Sequence, residues 1–585
     1  MNRFLHKIKH QSLKEMLKEY AWLLRCSLQH KRQIFWYLFI GILGTLMSLA
    51  GSLLSKYIID AVTGYDNSRL VAALVFFLLM QLSQIAVRAI SSRISTKISI
   101  EVNQQITSQV YRTLLKTDWE SLSAYHSGDL LARVGGDVST VSSSVLGWIP
   151  DLFTRLLQFV GTFAVILYYD RTLALLALLT APVSLLMSRY VMRMMRHHNK
   201  KMRKLSSDMM VFNSESFQNI QLIKAFDRTS TYTEKHQELL SEYRQAALEY
   251  NRFSIRKNTV MSLAGAMVGL LCFCWCIYRL WTGRITFGTV ALFLQLSTSL
   301  TAAFSALAGM IPSAISAATA AGRVMAITQL PQEDLQDSHI ANQWYQQFGC
   351  NGFSIEAQGI SYHYEEGTQV LSNANFHGES GQIIALTGPS GEGKTTLLRL
   401  LLGIIQPKEG AVLLRSADGE EIPLGPCTRS LFSYVPQGNT LFSGTIEENL
   451  RLIRPDATEE ALYQALEISC AADFVKRLPQ GLQTSVKSRD GGLSEGQLQR
   501  LCIARALLSD APILLMDEAT SALDVKTERQ VLQNIMQANK HRTCILSTHR
   551  PSALGISDCI YYVNQDRITP MTLQEVQSKL RFTDL

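Results

Sequence analysis

Six uncharged apolar runs crowd the first half of this chain: Ile34–Ser55, Leu70–Val87, Leu156–Tyr169, Thr172–Ser188, Val260–Ile277 and Val290–Ala308. A helix that spans a bilayer needs roughly 17–25 apolar residues, and most of these runs meet that requirement alone. Leu156–Tyr169 is short, but apolar residues continue back through Val145–Pro150, interrupted by Asp151 and Arg155. Buried helices of a large soluble protein would not place six such segments in half its length. A polytopic α-helical membrane domain of six spans is therefore predicted. With 585 residues the chain also exceeds a single-domain prior of roughly 100–200, so a second domain is expected.

Charge sets the orientation. The first run begins too late, and lacks the flanks, for a cleaved signal peptide. Ahead of it Lys7, Lys9, Lys14, Lys18, Arg25, Lys31 and Arg32 interleave with Leu13, Met16, Leu17, Leu23 and Leu24. Residues 1–33 read as an amphipathic helix on the inner membrane surface. After the fourth run come Arg193, Arg196, Lys200, Lys201, Arg203 and Lys204. Cytoplasmic loops carry the excess of Lys and Arg, so both basic segments belong inside. The net charge of +8 is then explained by topology, and no nucleic-acid partner is expected. The ten cysteines follow no metal spacing; Cys272, Cys274 and Cys276 fall on different faces of one span. Loops after the first, third and fifth runs are short. Those after the second and fourth, roughly 88–140 and 189–258, are long, charged and helical in pattern. About 25 residues of helix cover roughly 37 Å, so these loops project as levers beyond the bilayer. The expected layout is residues 1–33 as the surface helix, 34–328 as the membrane domain, 329–352 as a polar linker and 353–585 as a cytoplasmic domain.

In that last domain Gly388-Pro389-Ser390-Gly391-Glu392-Gly393-Lys394-Thr395 fits G-x-x-x-x-G-K-[ST]. A buried strand, Gln382–Leu386, precedes it and a helix from Thr396 to Leu402 follows, the context a phosphate-binding loop requires. Small residues let backbone N–H groups close around phosphates, and the helix N-terminus adds partial positive charge. Lys394 would reach the β- and γ-phosphates of ATP, and Thr395 would offer a hydroxyl to Mg²⁺. The run Ile513–Glu518 reads as a buried strand ending in two carboxylates. Asp517 would hold the metal, and Glu518 sits where a base could polarise water. His549, at the end of the strand through Cys544–Thr548, would contact the γ-phosphate.

Leu493-Ser494-Glu495-Gly496-Gln497, continued by Leu498-Gln499-Arg500, resembles the signature motif of ATP-binding cassette transporters. Tyr364 resembles their adenine-stacking aromatic residue, Gln437 their Q-loop glutamine, and Ser521–Asp524 their D-loop. The membrane half is similar to the six-span exporter type at Gly128–Arg133, Val134–Val138 and Gln221–Phe226. The resemblance runs nearly end to end. It implies a half-transporter with an α/β P-loop cassette fused to the membrane domain, in which one chain alone cannot close an ATP site. Catalytic roles would fall to Glu518, His549 and Gln437, and metal contacts to Thr395, Gln437 and Asp517. Nucleotide contacts would come from Tyr364, Gly388, Ser390, Gly391, Gly393, Lys394, Thr395 and Thr396. The signature and D-loop residues Ser494, Gly496, Gln497 and Asp524 would complete the partner's site. The partner is expected to be a second half-transporter, an identical chain in preference to a different one. Segments near Trp119–Ser121 and Phe212–Phe217 resemble the coupling helices that dock on cassettes.

The pattern departs in two places. Glu495 stands where glycine is commonest, and Val486-Lys487-Ser488-Arg489-Asp490 replaces the usual V-G-E-x-G, which puts coupling to the membrane domain in question. Asp151 and Arg155, one turn apart on the third span, read either as substrate contacts or as an intrahelical salt pair. Gln81, Gln84, Gln158, Gln295, Ser297 and Thr298 with Phe76, Phe163 and Phe304 would suit an amphipathic peptide, drug-like compound or lipid. An exporter is expected, with a lipid flippase, an importer of exporter fold and an ATP-gated regulator as alternatives. The expected setting is a bacterial inner membrane. No peptidase segment precedes the spans, so leader cleavage by this chain is not expected.

Overall fold

The computed structural model describes residues 18–23, 25, 31–64, 70–172, 174–175, 201–202, 204–334, 338–348, 352–364, 369–486 and 492–583. Residues 1–17, most of the fourth apolar run, the basic loop from Arg193 to Lys200 and the Lys487–Asp490 departure lie outside the described residues. The principal helices of the first 330 residues are α1 (Lys31–Thr63), α2 (Leu70–Lys116), α3 (Trp119–Ser123), α4 (Val138–Tyr169), α5 (Thr229–Trp281) and α6 (Phe287–Thr328). The chain divides into two compact units, one of Met1–Arg112 with Ser127–Gln329, the other of Thr113–His126 with Leu330–Leu585.

In the first unit four helical stretches among the described residues are long and apolar enough to cross a membrane: Lys31–Thr63, Leu70–Lys116, Pro150–Tyr169 and Phe287–Phe304. The fifth expected span lies on α5, where a shorter apolar stretch, Gly269–Trp281, closes the helix. Phe35, Trp36, Phe39, Phe76, Leu78 and Leu79 point outward, as side chains solvated by lipid would. With 47 residues in α2 and 53 in α5, these helices reach about 70–80 Å, more than twice a hydrocarbon core of about 30 Å. The described parts of the long loops are mostly helix, broken at Thr117–Asp118 and Ala124–His126 in the first and at Asn219 and Phe226–Arg228 in the second.

Without a hydrophobic drive between helices in lipid, close backbone approach decides which ones pack. A side chain at Gly41 on α1 would meet Thr154 Cγ2 of α4 at 2.7 Å, and one at Gly161 would meet Leu49 Cδ1 at 2.7 Å. Ions tie other helices together. Asp170, just after α4, accepts from Arg279 Nε of α5 at 2.8 Å, and Asp60 of α1 accepts from the Gly288 N–H of α6 at 2.8 Å. On α5 Cys272 and Cys276 are buried and Cys274 is exposed, as alternation around a helix requires. A single π-turn, Arg133–Asp137, leads into α4, and Arg323 of α6 reaches both Asp129 at 2.8 Å and Asp137 at 3.2 Å beside it. Gln84 is buried, whereas Phe76, Gln81 and Gln295 are exposed.

The second unit is α/β. Its strands are β1 (Phe353–His363), β2 (Gln369–Glu379), β3 (Ile383–Thr387), β4 (Glu409–Ser416), β5 (Glu421–Pro423), β6 (Phe432–Val435), β7 (Gly444–Thr445), β8 (Ser485–Val486), β9 (Ile513–Asp517), β10 (Thr543–Ser547), β11 (Cys559–Asn564) and β12 (Arg567–Pro570). One sheet has the order β2-β1-β4-β5 and is antiparallel. The other runs β12-β11-β3-β10-β9-β6, parallel except at its β12 edge. Every residue of β3, β9 and β10 is buried, the continuous pattern of strands covered on both faces. Each buried Ile or Leu there contributes about 1.5–3 kcal/mol. The stretch expected as a polar linker carries a helix, α7 (Ser338–Gln347). It places Ala341 and Trp344, three apart on one face, in the core with Ile355 and Phe376. Three more helices frame the site: α8 (Lys394–Leu401), α9 (Glu495–Leu507) and α10 (Val525–Ala538).

Candidate nucleotide site

The loop between β3 and α8 follows from its glycines. Gly388 has φ 136° and Gly393 φ 103°, and a Cβ at Gly388 would lie 2.0 Å from the Val563 carbonyl oxygen. Only glycine fits, because the strained φ and the neighbouring strand both exclude a side chain. Ser390 and Gly391 stand exposed at the loop tip. Lys394 opens α8 from a buried position and folds its ammonium back onto the carbonyls of Gly388 and Pro389, at 2.7 and 2.8 Å. Burial lowers its pKa, and the nearby carboxylates of Glu518, Asp517 and Glu392 work against that. A buried ammonium with a spare N–H, no ion-pair partner among the described residues, and a rim of backbone N–H groups suits phosphate.

Glu392 turns away from the loop and accepts from the Gln565 N–H at 2.7 Å, pinning the loop to the turn after β11. Thr395 is half-buried and its hydroxyl makes no hydrogen bond among the described residues, whereas Thr396 is buried against the Tyr364 hydroxyl at 3.2 Å. Arg399 also donates to that hydroxyl at 3.3 Å, and the Tyr364 ring stands edge-on to Tyr362 with centroids 5.1 Å apart.

Parallel pairing of β9 with β10 sets Asp517 beside Ser547. The Ser547 hydroxyl donates to Asp517 Oδ1 at 2.7 Å and accepts from the Glu518 N–H at 3.0 Å. Glu518 leaves the strand at φ 49°, which turns its carboxylate to Gln437 Nε2 at 2.6 Å. His549 is exposed beyond β10. Desolvation and the Lys394 ammonium hold its pKa below 6.5, with Glu518 opposing. Lys394, Asp517, Glu518, Gln437 and His549 thus gather around one loop. The oxygens of Asp517, Thr395 and Gln437 fit Mg²⁺, which takes hard oxygen ligands and one or two carboxylates alongside substrate phosphates.

The signature residues assemble a different surface. Ser494 caps α9, accepting from the Gln497 N–H at 3.3 Å while Gln497 Oε1 accepts from the Ser494 N–H at 2.8 Å. A Cβ at Gly496 would meet the Ala522 carbonyl at 2.8 Å. Gln499 locks the motif to the D-loop through Ser521 Oγ at 3.0 Å and the Ala522 N–H at 2.9 Å. Asp524 caps α10 through Thr527, whose hydroxyl and N–H hold the carboxyl below its ordinary pKa. Ser494, Gly496, Arg500, Leu523 and Asp524 line an open cavity of about 390 Å³, and no residue of the phosphate loop reaches it.

Several supporting residues escaped the sequence reading. Ser547 shows only through strand register. Arg550, next to His549, donates to the carbonyls of Ser521 and Leu523. Glu528, fully buried, accepts from the Thr520 hydroxyl at 2.6 Å and from the Ser552 hydroxyl. A glutamate on an amphipathic helix gives no such signal in sequence.

Residues 34–304 match the ABC transporter transmembrane region family and residues 371–521 the ABC transporter family. A multidrug resistance ABC transporter ATP-binding and permease protein of Lactococcus lactis is 26% identical over 561 residues, covering 95% of this chain and 92% of the relative. An ATP-dependent lipid A-core flippase of Desulfotalea psychrophila is 30% identical over 474 residues, covering 79% and 80%. The solved structure of a bacterial Atm1-family ABC exporter with ATP bound superimposes with a TM-score of 0.78 at 23% identity, over 94% of this chain and 98% of that one. With both halves present in one chain, this protein belongs to the ABC transporter family: it is an integral-membrane half-transporter of the exporter type that binds ATP, dimerises and couples ATP hydrolysis to transport.

Proposed function

We propose that two identical copies of this chain form a Mg²⁺-dependent exporter in a bacterial inner membrane, moving an amphipathic substrate outward by alternating access. The observation that carries the chemistry is the Gln437–Glu518 hydrogen bond beside the buried Lys394. Lys394 and the N–H groups from Ser390 to Thr396 hold the phosphates, with Tyr364 against the adenine. Thr395, Asp517 and Gln437 hold Mg²⁺, which when bound neutralises charge on the phosphate oxygens. Glu518 orients and deprotonates the attacking water, and His549, neutral at pH 7 on its lowered pKa, contacts the γ-phosphate.

Ser494, Gly496, Gln497 and Asp524 act on the nucleotide of the opposite copy, since their cavity stands apart from the phosphate loop of their own chain. ATP binds the closed dimer better than the open one, and that difference drives the outward switch. Relatives named for multidrug resistance, fatty acids and lipid A-core support an amphipathic cargo.

Glu518→Gln tests the assignment. Purified variant should keep ATP binding and lose nearly all hydrolysis, because it removes the base and leaves Lys394, Thr395 and Asp517 in place. Turnover near wild type would overturn it.

A further inference from the structure

An Asp followed four residues later by an Arg on a helix ordinarily closes an ion pair. In this chain Lys56–Asp60, Asp129–Arg133 and Glu447–Arg451 have that spacing and close at 2.8, 2.9 and 2.6 Å. Asp151 and Arg155 have the same spacing, in a span where low dielectric strengthens attraction, and no ion pair joins them among the described residues. The two charges attract across a longer gap, and each is hydrogen-bonded to a neutral group. The Tyr37 hydroxyl of α1 bonds Asp151, and Arg155 Nη1 donates to Gln158 Oε1 at 3.1 Å. All four side chains are half-buried, Tyr37 on α1 and Asp151, Arg155 and Gln158 on α4, each no more than four positions along its helix from the Gly41–Thr154 approach.

Depth adds a second constraint. Fourteen residues separate Arg155 from Tyr169 at the end of α4, or about 21 Å of helix, in a hydrocarbon layer of about 30 Å. With Tyr169 at the outer interface, Arg155 and Asp151 lie in the inner part of the span, near the level of inner-leaflet head groups. Charges kept apart inside a membrane are costly, and such residues mark ligand sites.

Resting on the exporter reading above, we propose that Asp151 and Arg155 form a two-pole head-group site for an amphiphile carrying both a cation and an anion. Arg155 takes the phosphate or carboxylate and Asp151 takes the ammonium, displacing the weaker bonds from Gln158 and Tyr37. One helical turn sets side chains about 5–6 Å apart, close to the separation a two-carbon link leaves between phosphate and amine. A single-charge amphiphile satisfies one pole and leaves the other unmatched.

The test uses the full-length chain in a neutral maltoside with three amphiphiles of one tail: dodecylphosphocholine, dodecyl phosphate and dodecyltrimethylammonium. ATPase activity is titrated with each and scaled to each protein's own rate without amphiphile. Wild type should respond at the lowest concentration to the zwitterion. Arg155→Gln should raise the half-maximal concentration for zwitterion and anion about tenfold and leave that for the cation, the loss of one charge-assisted contact. Asp151→Asn should do the reverse for the cation, and Arg155→Lys should restore the anion response. Equal shifts for all three amphiphiles in both variants, or a wild type that does not distinguish them, would overturn the site and leave the exporter reading intact. A wild type without ATPase activity would overturn the exporter reading, and ligand-induced thermal shifts with the same amphiphiles must then show the same selectivity for the site to stand.

Discussion

Glu518 sits in a backbone conformation that costs a non-glycine residue about 1–2 kcal/mol, and Ser547 is what holds it there. One hydroxyl satisfies a buried carboxylate oxygen of Asp517 and the N–H of Glu518, so the proposed metal ligand and the proposed base share a single tether. Ser547→Ala leaves the Asp517 oxygen without its donor at a cost of about 1–3 kcal/mol. The expected result is a kcat for ATP lower by about ten- to hundredfold, with a smaller change in KM, measured by steady-state hydrolysis. A variant within twofold of wild type would show that Ser547 does not position either acid. The two acids were legible from the sequence because a buried apolar strand ending in Asp-Glu has few other uses. Their tether was not, since Ser547 and Asp517 lie thirty positions apart and only strand register makes them neighbours.

At the scale of elements, α3 is joined to the cassette more firmly than its five residues suggest. Asp118 caps it through the Ser121 N–H at 2.7 Å, and the flanking backbone pairs with the segment after α6, Asp118 N–H to Pro331 at 3.1 Å and Glu333 N–H to Lys116 at 2.8 Å. Glu333 then grips Arg429 with two bonds of 2.7 and 2.8 Å. Glu120 meets Lys408 at 2.9 Å, and that ammonium lies over the Tyr362 ring beside Tyr364. Being half exposed, the Glu120–Lys408 pair contributes under about 1 kcal/mol to stability, so its effect should appear in coupling. Glu120→Lys should leave thermal stability nearly unchanged and weaken substrate stimulation of ATPase about two- to fivefold; adding Lys408→Glu should restore it. Failure of the double variant to recover would mean that the charges act separately. The tryptophan-bearing turn was recognisable in sequence as a docking element. Its attachments were not, because every partner lies more than two hundred residues away. Of the two readings of Asp151 and Arg155, the intrahelical salt pair does not close among the described residues; Tyr37, which bonds Asp151, comes from another helix, and spacing along α4 does not reveal it.

At the scale of the molecule, one chain carries two half-sites that do not meet within it, the phosphate loop with its acids and the cavity of α9 with the D-loop. If Ser494 serves the opposite nucleotide, a mixed dimer with Ser494→Arg in one copy should lose hydrolysis at the other copy's phosphate loop. Combining Ser494→Arg in one copy with Glu518→Gln in the same or the other copy separates the sites, and equal residual rates in the two arrangements would refute the exchange. Six apolar runs and one phosphate loop were enough to read a membrane half and a cassette from sequence, because lipid and phosphate each impose strict local patterns. The division of the chain was less legible. Thr113–His126 is bounded on both sides by the membrane unit yet belongs to the cassette unit. This matters for how such proteins are recombined, by evolution or at the bench. A cassette exchanged between relatives by a single crossover after residue 330 would arrive without Glu120 and Lys116, leaving Lys408 and Glu333 to face foreign residues. The inheritable module is discontinuous, and a working chimaera would have to carry that short internal stretch along with it.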